Sequence, residues 1–414
     1  MLRAWYNNLR DFNEGKIMGN SQKYIDLENL YGANNYKPLD VVIEKAQGIW
    51  LYDVNGKKYM DCLAAYSAVN QGHCHPKILA AMIEQAKKVT LTSRAFRNNM
   101  LPIYYEKITK LTGFEMVLPM NTGAEAIETA IKTARKWGYI KKGVKKDCAE
   151  IIICSENFHG RTTTIISFST DDMAKSDFGP YTPGFITVKY GCIDEMENAI
   201  NKNTVAIMLE PIQGEAGIKI PPKNYLKEIR EICDKNNILM IVDEIQTGFG
   251  RTGKLFAYEH ENIMPDMITV GKALSGGFYP VSAVLSGREI LGVFKPGEHG
   301  STFGGNPLAC AIAMAALDVI VDENLVERSK ELGEYFLNKL KTLSSPVIKE
   351  VRGLGLFLAI ELNEKARPYC EKLFREYGIL IKETHEQIIR VAPPLIITKE
   401  EIDFAFDKIQ KVFS

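Results

Sequence analysis

The fold of this chain is decided by residues 205–243, which read VAIMLEPIQGEAGIKIPPKNYLKEIREICDKNNILMIVD. Two runs in this stretch, 205–209 and 238–242, are apolar throughout, and the segment 224–236 between them repeats apolar residues at helical spacing. Strands that are buried on both faces have such unbroken apolar runs, which are typical of a parallel sheet covered by helices. The stretch is therefore predicted to form a strand–helix–strand unit of an α/β fold.

Two further apolar runs, 151–154 and 267–270, extend this predicted sheet. Open α/β sheets bind their ligands beyond the carboxyl ends of the strands. An ordinary structural loop has no need for a concentration of reactive groups, so we expect one functional site at this edge of the sheet. The segments that follow the four runs carry aromatic, acidic, amide and cationic side chains: Phe158, His159, Arg161, Glu210, Gln213, Glu215, Asp243, Gln246 and Lys272.

The length of 414 residues exceeds what one hydrophobic core usually supports, so the chain is expected to contain more than one substructure. We predict an N-terminal segment (1–65), a large ligand-binding domain (66–320) and a smaller α+β domain (321–414). The last has helix-like patterns and short β regions around 351–362 and 388–391.

The charge of the chain is balanced, with 51 basic and 51 acidic residues, which gives no whole-molecule reason to expect nucleic acid or a membrane surface. No apolar run is long enough to span a bilayer. The eight cysteines are scattered without a C-x-x-C pair, which suits reduced thiols in an intracellular protein. His73, Cys74 and His75 lack the second ligand cluster of a structural zinc site, so no metal is predicted.

The first 20 residues are polar and aperiodic, and Arg3 and Arg10 are balanced by Asp11 and Glu14. A mitochondrial transit peptide is rich in arginine and poor in acids, and a signal peptide has an apolar centre. We therefore expect a disordered or loosely docked start and a cytoplasmic protein, with a mitochondrial location as the less favoured alternative.

Lys272 follows one predicted buried strand, and Asp243 ends the strand before it along the chain. A lysine is costly to bury unless it loses its charge, and a covalent bond to a carbonyl cofactor removes that charge. A buried carboxylate such as Asp243 keeps a pyridine nitrogen protonated. The alternatives are a lysine that reaches solvent and an aspartate that caps a helix. Gln246 follows at a spacing that lets its amide reach the same cofactor.

Residues 121–126 open a predicted helix, and Gly123 at its start lets a phosphate approach backbone N–H groups. The glycine is equally compatible with an ordinary turn. Phe158 is expected either against the face of a cofactor ring or in the core, and Arg161 offers a planar fork for a carboxylate. The segment 301–307 is glycine-rich with two hydroxyl groups, suited to phosphate or to a tight bend.

Three stretches, 243–253, 271–277 and 301–307, together resemble the class III aminotransferases, which depend on pyridoxal phosphate (PLP) and have fold type I. Two more, 31–36 and 65–76, resemble the members of that family that act on ornithine. The resemblance implies a homodimer with shared active sites. It also implies transfer of the δ-amino group of L-ornithine to 2-oxoglutarate through PLP.

The same resemblance implies a role for individual residues. Lys272 would bind PLP covalently, Asp243 would hold its ring nitrogen, and the other cofactor-binding residues would be Gly123, Ala124, Phe158, Gln246 and, from the other subunit, Thr302. The substrate pocket would contain Tyr36, Tyr66, Arg161, Glu215 and Arg390. His73 and His75 would belong to a structural turn of the family. Three neighbours of these positions depart from the residues common in the ornithine enzymes: Asn34, His159 and Phe303.

Several other functions are compatible with parts of the sequence. The nearest is the same chemistry on N-acetylornithine or 4-aminobutyrate, against which Tyr36 and Tyr66 add polar contacts for a free amino-acid head group. A non-catalytic interaction protein on the same scaffold is disfavoured by intact Lys272 and Asp243. A nucleotide-dependent enzyme lacks its phosphate-binding motif.

Overall fold

The structure, a computed structural model, describes residues 21–414. Its strands, numbered along the chain, are β1 (Ile43–Gln47), β2 (Trp50–Asp53), β3 (Lys58–Asp61), β4 (Met116–Met120), β5 (Glu150–Cys154), β6 (Phe185–Val188), β7 (Thr204–Leu209), β8 (Leu239–Asp243), β9 (Met267–Val270), β10 (Ser282–Ser286), β11 (Ile348–Leu354), β12 (Phe357–Leu362), β13 (Ile379–Leu380), β14 (Lys382–Thr384) and β15 (Ile388–Val391).

The longer helices are Ser21–Tyr31, Pro76–Ala86, Met100–Thr112, Gly123–Trp137, Tyr225–Asn236, Pro307–Asp322, Leu325–Leu340, Arg367–Tyr377 and Lys399–Phe413. Shorter helical segments are Ala64–Ser67, Gly138–Lys142, Thr163–Ile166, Asp172–Lys175, Ile193–Ala199, Ala257–Glu261, Lys272–Ser275 and Arg288–Leu291.

The central sheet has seven strands in the order β4-β10-β9-β8-β7-β5-β6. Strands β5 to β9 run parallel, whereas β10 runs antiparallel to both β4 and β9. The four apolar runs of the sequence form β5, β7, β8 and β9, which are almost completely buried. Helix Tyr225–Asn236 connects β7 to β8 and buries Leu226, Ile229 and Cys233. The predicted mostly parallel sheet covered by helices is confirmed.

A second sheet is antiparallel and has the order β11-β12-β15-β14. Helices Leu325–Leu340 and Arg367–Tyr377 contact its strands, and Lys399–Phe413 packs against both helices. This arrangement confirms the smaller α+β part of the fold that the sequence predicted. It brings Arg390, on β15, from the last part of the chain towards the central sheet.

The third sheet joins the two ends of the described chain, because β1-β2-β3 is completed by β13. β13 runs parallel to β3, with Ile379 opposite Met60. The predicted domain boundaries after residues 65 and 320 stay a prediction, and this sheet connects the first predicted segment with the last. No helix within residues 21–414 has both the length and the apolar character needed to cross a bilayer. The expectation for residues 1–20 lies outside the described residues.

Candidate active site

A cavity lies at the carboxyl ends of β7, β8 and β9, the edge of the sheet at which the sequence predicted a site. Glu210, Asp243 and Lys272 stand at or directly after the ends of these three strands. The residues that line the cavity are Gly123, Ala124, Phe158, His159, Gly160, Glu210, Ile212, Glu215, Asp243, Ile245, Gln246, Thr247 and Lys272. The structure therefore brings most of the predicted cofactor-binding residues to one place.

Lys272 is the first residue of a short helical turn after β9, and its φ of 44° lies in the left-handed region. A non-glycine residue rarely takes this conformation without a surrounding structure that imposes it. Burial lowers the pKa of Lys272, although the carboxylates of Glu215 and Asp243 act in the opposite direction. A lowered pKa increases the fraction of neutral amine, which is the form that attacks a carbonyl carbon.

Asp243 is buried, and both of its carboxylate oxygens have hydrogen-bond partners within the chain. Its Oδ1 accepts hydrogen bonds from Ile245 N and Thr269 Oγ1, both at 3.0 Å. Its Oδ2 lies 2.7 Å from Nδ1 of His159, whose side chain has no solvent exposure. Burial by itself lowers the pKa of His159, but the hydrogen bond and the charge of Asp243 outweigh it and raise that pKa. These hydrogen bonds hold Asp243 in place at the floor of the cavity.

His159 was expected at this edge of the sheet but was given no role in the site. The signal that could have revealed it is its position beside Phe158, in the loop that follows β5 towards the site. Its partner Asp243 is far away in sequence, so the pairing depends on the order of strands in the sheet.

Glu210 is a second such residue, and it connects two loops of the cavity. Its Oε1 accepts a hydrogen bond from Phe158 N at 2.9 Å, and its Oε2 accepts one from Gly214 N at 3.3 Å. The first loop carries Phe158 and the second carries Glu215. Burial raises the pKa of Glu210 to about 7, so the carboxyl group titrates near neutral pH.

The helix that begins at Gly123 offers backbone N–H groups at the rim of the cavity. Thr122 and Glu125 form a capping box, in which Glu125 N donates to Thr122 Oγ1 (3.2 Å) and Thr122 N donates to the Glu125 carboxylate (2.8 Å). The first N–H groups of a helix have no intrahelical acceptor, which leaves those of Gly123 and Ala124 for an anion such as phosphate. A Cβ on Gly123 would lie only 3.1 Å from Ile245 Cδ1, which accounts for the glycine.

Glu215 and Arg390 form an ion pair beside the cavity, with Glu215 Oε1 2.9 Å from Arg390 Nη1. Glu215 Oε1 also accepts a hydrogen bond from Gln246 Nε2 at 3.0 Å, and Arg390 Nη2 donates to Gly214 O at 3.1 Å. Burial by itself raises the pKa of Glu215, but Arg390 outweighs it and holds that pKa at about 2. The guanidinium also lies 5.2 Å from the centre of the Tyr66 ring.

A second cation, Arg161, lies at the mouth of the cavity. Its guanidinium carbon is 5.9 Å from the ring centres of both Tyr36 and Phe158. Arg161 is exposed and Tyr36 is 65% exposed, so both are accessible to a ligand that enters from solvent. The structure thus places one cation in the interior of the site and one at its entrance.

Thr302 is exposed and does not line the cavity of its own chain. The preceding residue, Ser301, accepts a hydrogen bond from Asn121 Nδ2 at 2.7 Å, close to the start of the helix at Gly123. Phe303 is also exposed. The described chain alone therefore does not bring Thr302 to its predicted ligand.

The two histidines of the turn at residues 73–75 bond different carboxylates. His73 Nε2 lies 2.7 Å from Asp61 Oδ2, and His75 Nε2 lies 2.9 Å from Glu323 Oε1. Within the described part of the chain, no group of three or more histidine, cysteine or acidic side chains is arranged to hold a metal ion.

The sequence and the fold of this chain have counterparts among known proteins. A family model described as Aminotransferase class-III matches residues 31–413. The chain belongs to the class-III aminotransferase family. This aminotransferase is 60% identical over 397 residues to the ornithine aminotransferase of Macrococcus caseolyticus (strain JCSC5402), an alignment that covers 96% of this chain and 100% of that protein.

Solved structures of other aminotransferases have the same fold. An ornithine aminotransferase from Toxoplasma gondii, described as having partial occupancy of PLP at its active site, superposes with a TM-score of 0.96 at 43% identity and covers 98% of this aminotransferase and 97% of that chain. An acetylornithine aminotransferase from Elizabethkingia anophelis superposes with a TM-score of 0.87 at 49% identity and covers 95% and 99% of the two chains.

Proposed function

We propose that this aminotransferase transfers the δ-amino group of L-ornithine to 2-oxoglutarate with PLP as its cofactor. The products are glutamate and glutamate 5-semialdehyde, which cyclises to pyrroline-5-carboxylate. The observation that carries the proposal is the Glu215–Arg390 ion pair inside a cavity that has Arg161 at its mouth. The named relatives, most of which are ornithine aminotransferases, support the same substrate.

The residues of the cavity fit PLP in charge and in hydrogen-bonding capacity. Buried polar atoms without a protein partner remain at His159 Nε2 and Gln246 Oε1, among the described residues, and backbone N–H groups face the rim at Gly123. When bound, PLP supplies an electron sink for negative charge that develops on the substrate carbon. Asp243 would hold the proton on the ring nitrogen, and Phe158 would pack on the ring.

Lys272 has two tasks in this proposal. Its side-chain amine binds the cofactor, and as a neutral amine it moves a proton to and from the substrate carbon that carries the reacting nitrogen. The burial that lowers its pKa favours both tasks at neutral pH. Reduction of the purified protein with borohydride, followed by peptide mapping, is expected to find the cofactor on Lys272. Label on another lysine would contradict this assignment.

The two substrates make opposite demands on the inner cation. Ornithine enters with its δ-amino group first, so its carboxylate stays far from the cofactor, where Arg161 is suited to bind it. 2-Oxoglutarate enters with its keto group first, so one carboxylate lies near the cofactor and suits Arg390. A permanently free Arg390 would also favour ornithine bound through its α-amino group. Glu215 prevents this wrong binding of ornithine because its carboxylate neutralises Arg390. A substrate carboxylate can later take the place of Glu215 beside Arg390.

Single-turnover measurements of the two half-reactions test this role of Glu215. Glu215→Ala is expected to expose Arg390. The kcat/KM for glutamate should then increase about tenfold, and that for ornithine should decrease by a similar factor. These factors correspond to the loss of one charged hydrogen bond, which contributes about 1.5 kcal/mol. Glu215→Gln is the matched control, because it keeps an acceptor for Gln246 and removes the charge. Equal losses in both half-reactions with a lower Tm would instead mean a permanent structural ion pair.

The second candidate is the same reaction on N-acetylornithine, which the likeness to the Elizabethkingia anophelis enzyme favours. An assay of the purified protein with ornithine, N-acetylornithine and 4-aminobutyrate, each with 2-oxoglutarate, distinguishes the candidates.

We further propose a cytoplasmic homodimer in which Thr302 contributes to the cofactor phosphate of the other subunit. The exposure of Thr302 outside its own cavity supports the shared site.

A further inference from the structure

Four consecutive residues beside the cavity have a left-handed backbone. The φ angles are 49° at Ala64, 46° at Ala65, 58° at Tyr66 and 72° at Ser67, and none of these residues is glycine. Single non-glycine residues occur in this region, but a full turn of them is rare because each Cβ crowds the next carbonyl oxygen. Such a turn persists only where its surroundings impose it.

Asp61 holds the start of the left-handed turn in place by hydrogen bonds. Asp61 Oδ1 accepts hydrogen bonds from Leu63 N at 2.8 Å and from Ala64 N at 2.9 Å. Its other oxygen, Oδ2, accepts one from His73 Nε2 at 2.7 Å. The side chain of Asp61 is buried, so these three bonds are not exchanged with water. One carboxylate therefore connects the beginning of the turn to the histidine that follows it.

The two ends of this segment are themselves fixed to the rest of the molecule. His73 is paired with Gly48 through two backbone hydrogen bonds of 2.7 and 3.0 Å. Cys62 N donates to Leu380 O at 2.9 Å, and Cys62 O accepts from Ala392 N at 2.8 Å. Asp61 and His73 thus act as a bridge between two anchored points, and the strained turn lies between those points.

The turn delivers Tyr66 to the inner cation of the site. The Tyr66 ring lies 5.2 Å from the guanidinium carbon of Arg390, which is the partner of Glu215. A right-handed or extended backbone at Ala65 and Tyr66 would direct the ring elsewhere. The position of the tyrosine therefore depends on the turn and, through the turn, on Asp61.

We propose that Asp61 and His73 are positioning residues for substrate choice, because they hold the left-handed turn that places Tyr66. This inference rests on the proposed function and on the contact between Tyr66 and the amino-acid head group of the substrate that the family resemblance implies. The inference gives His73 a role that involves no metal. A site built around a hydrogen bond to the substrate discriminates strongly against analogues that lack the group, so loss of the turn should reduce the preference for ornithine over 4-aminobutyrate.

A double-mutant cycle tests the connection between Asp61 and Tyr66. The measured quantity is the ratio of kcat/KM for ornithine to kcat/KM for 4-aminobutyrate. Tyr66→Phe and Asp61→Ala are each expected to lower the ratio about tenfold, which corresponds to ~1.4 kcal/mol. The double variant is expected to be no worse than Tyr66→Phe alone, because Asp61 acts through the tyrosine.

The outcomes separate this inference from the proposed function. If the two losses multiply, Asp61 does not act through Tyr66 and the inference is wrong. If Tyr66→Phe leaves the ratio unchanged while the unmodified enzyme turns over ornithine, the inference fails and the proposed reaction stands. If the unmodified enzyme does not turn over ornithine, the proposed function itself fails.

A glycine rescue distinguishes positioning from a general loss of structure. Glycine takes positive φ without the steric cost of a Cβ, so Ala65→Gly is expected to restore most of the ratio in the Asp61→Ala background. Ala68→Gly is the matched control, since Ala68 is next to the turn but has an ordinary φ of −82°. Equal rescue by both glycines, or by neither, would overturn the proposal.

His73 variants give an independent measurement should Asp61→Ala fold poorly. Gln at position 73 keeps an N–H donor, whereas Leu removes it. His73→Leu is expected to lower the ratio several-fold and His73→Gln to keep it near the original value. A lower Tm for His73→Leu with an unchanged ratio would show that the bridge is only structural and would overturn the proposal.

Discussion

The floor of the cavity contains three buried titratable groups within one network: Asp243, His159 and Glu210. Asp243 and His159 share a hydrogen bond that raises the pKa of the histidine, so this pair carries its proton to a higher pH than a free imidazole does. Glu210 has no cationic hydrogen-bond partner and receives only backbone N–H groups. The charges of His159 and Asp243 also act on the pKa of Glu210, but burial has the largest effect on it.

Glu210 should make the protein less stable as the pH rises. Burial raises the pKa of Glu210 from 4.5 to about 7, so its contribution to stability is fully present below about pH 4.5 and is lost as the pH rises through about 7. Relative to Glu210→Gln, the free energy of unfolding of the unmodified enzyme should fall by up to about 3 kcal/mol between about pH 5 and pH 8. Denaturant titrations of both holoenzymes across that range measure the difference, and parallel curves would contradict it.

Individual residues of the site could be predicted from the sequence where a local pattern carries the information. Lys272 follows a buried strand and Asp243 ends one, and the structure places both at the cavity as expected. His159 and Glu210 received no role, because their partners come from other strands and loops. A sequence pattern shows which strand a residue follows but does not show what lies opposite it.

At the scale of elements, loop 210–215 connects strand β7 with Glu215, the ion-pair partner of Arg390. Gly214 has no positive φ, and the reason for glycine here is space. A Cβ at this position would overlap the side-chain amide of Gln246, the group that donates to Glu215 Oε1. The loop and the amide thus fit together only when residue 214 has no side chain.

Gly214→Ala should act by displacing Gln246. Because the amide is at the flexible end of its side chain, we expect it to rotate away and to lose its hydrogen bond with Glu215, with a decrease in kcat/KM for ornithine of about tenfold, or roughly 1.4 kcal/mol. Gln246→Ala makes room for the methyl group, so Gly214→Ala should add little in that background. Fully additive losses in steady-state kinetics would mean that the methyl group acts elsewhere.

The elements themselves were predicted unevenly, for physical reasons. Four of the five parallel strands, β5, β7, β8 and β9, have unbroken apolar runs, and their observed bounds lie within a residue of those expected. β4 and β10 were not predicted, since short runs such as Ser282–Ser286 carry no clear pattern and are defined by their neighbours in the sheet. The left-handed turn was also missed, because nothing in the identity of Ala64 and Ala65 favours a positive φ.

At the scale of the whole molecule, we propose a dimer in which two copies of the chain share their active sites. Asp243, Lys272 and Glu215 line the cavity of one chain, whereas Thr302 is exposed outside it. A dimer that brings Thr302 to the cavity of its partner would complete the cofactor phosphate site. In such a dimer, only certain pairs of inactive variants can complement each other.

Mixed dimers of two inactive variants should recover activity only when both defects fall in the same shared site, because the other site is then intact. Lys272→Ala removes the amine from its own cavity, and Thr302→Asp places a negative charge against the phosphate of the partner's cavity. Refolded or co-expressed heterodimers of the two should have one intact site and about half the activity of the unmodified dimer. Lys272→Ala combined with Asp243→Ala is the control and should stay inactive. Absence of recovery in verified heterodimers would argue against shared sites.

Because β3 pairs with β13, this part of the fold cannot form on the ribosome until β13 has been translated. Met60 is translated about 320 residues before its partner Ile379, which at about 5–20 residues per second is a delay of roughly 15–60 s. During that time β3 presents an open strand edge, a feature that invites pairing with other chains. The backbone acceptor for Cys62, at Leu380, and the donor at Ala392 arrive equally late. The nascent enzyme can therefore complete the hydrogen bonds that anchor its tyrosine-bearing turn only after Ala392 has been translated.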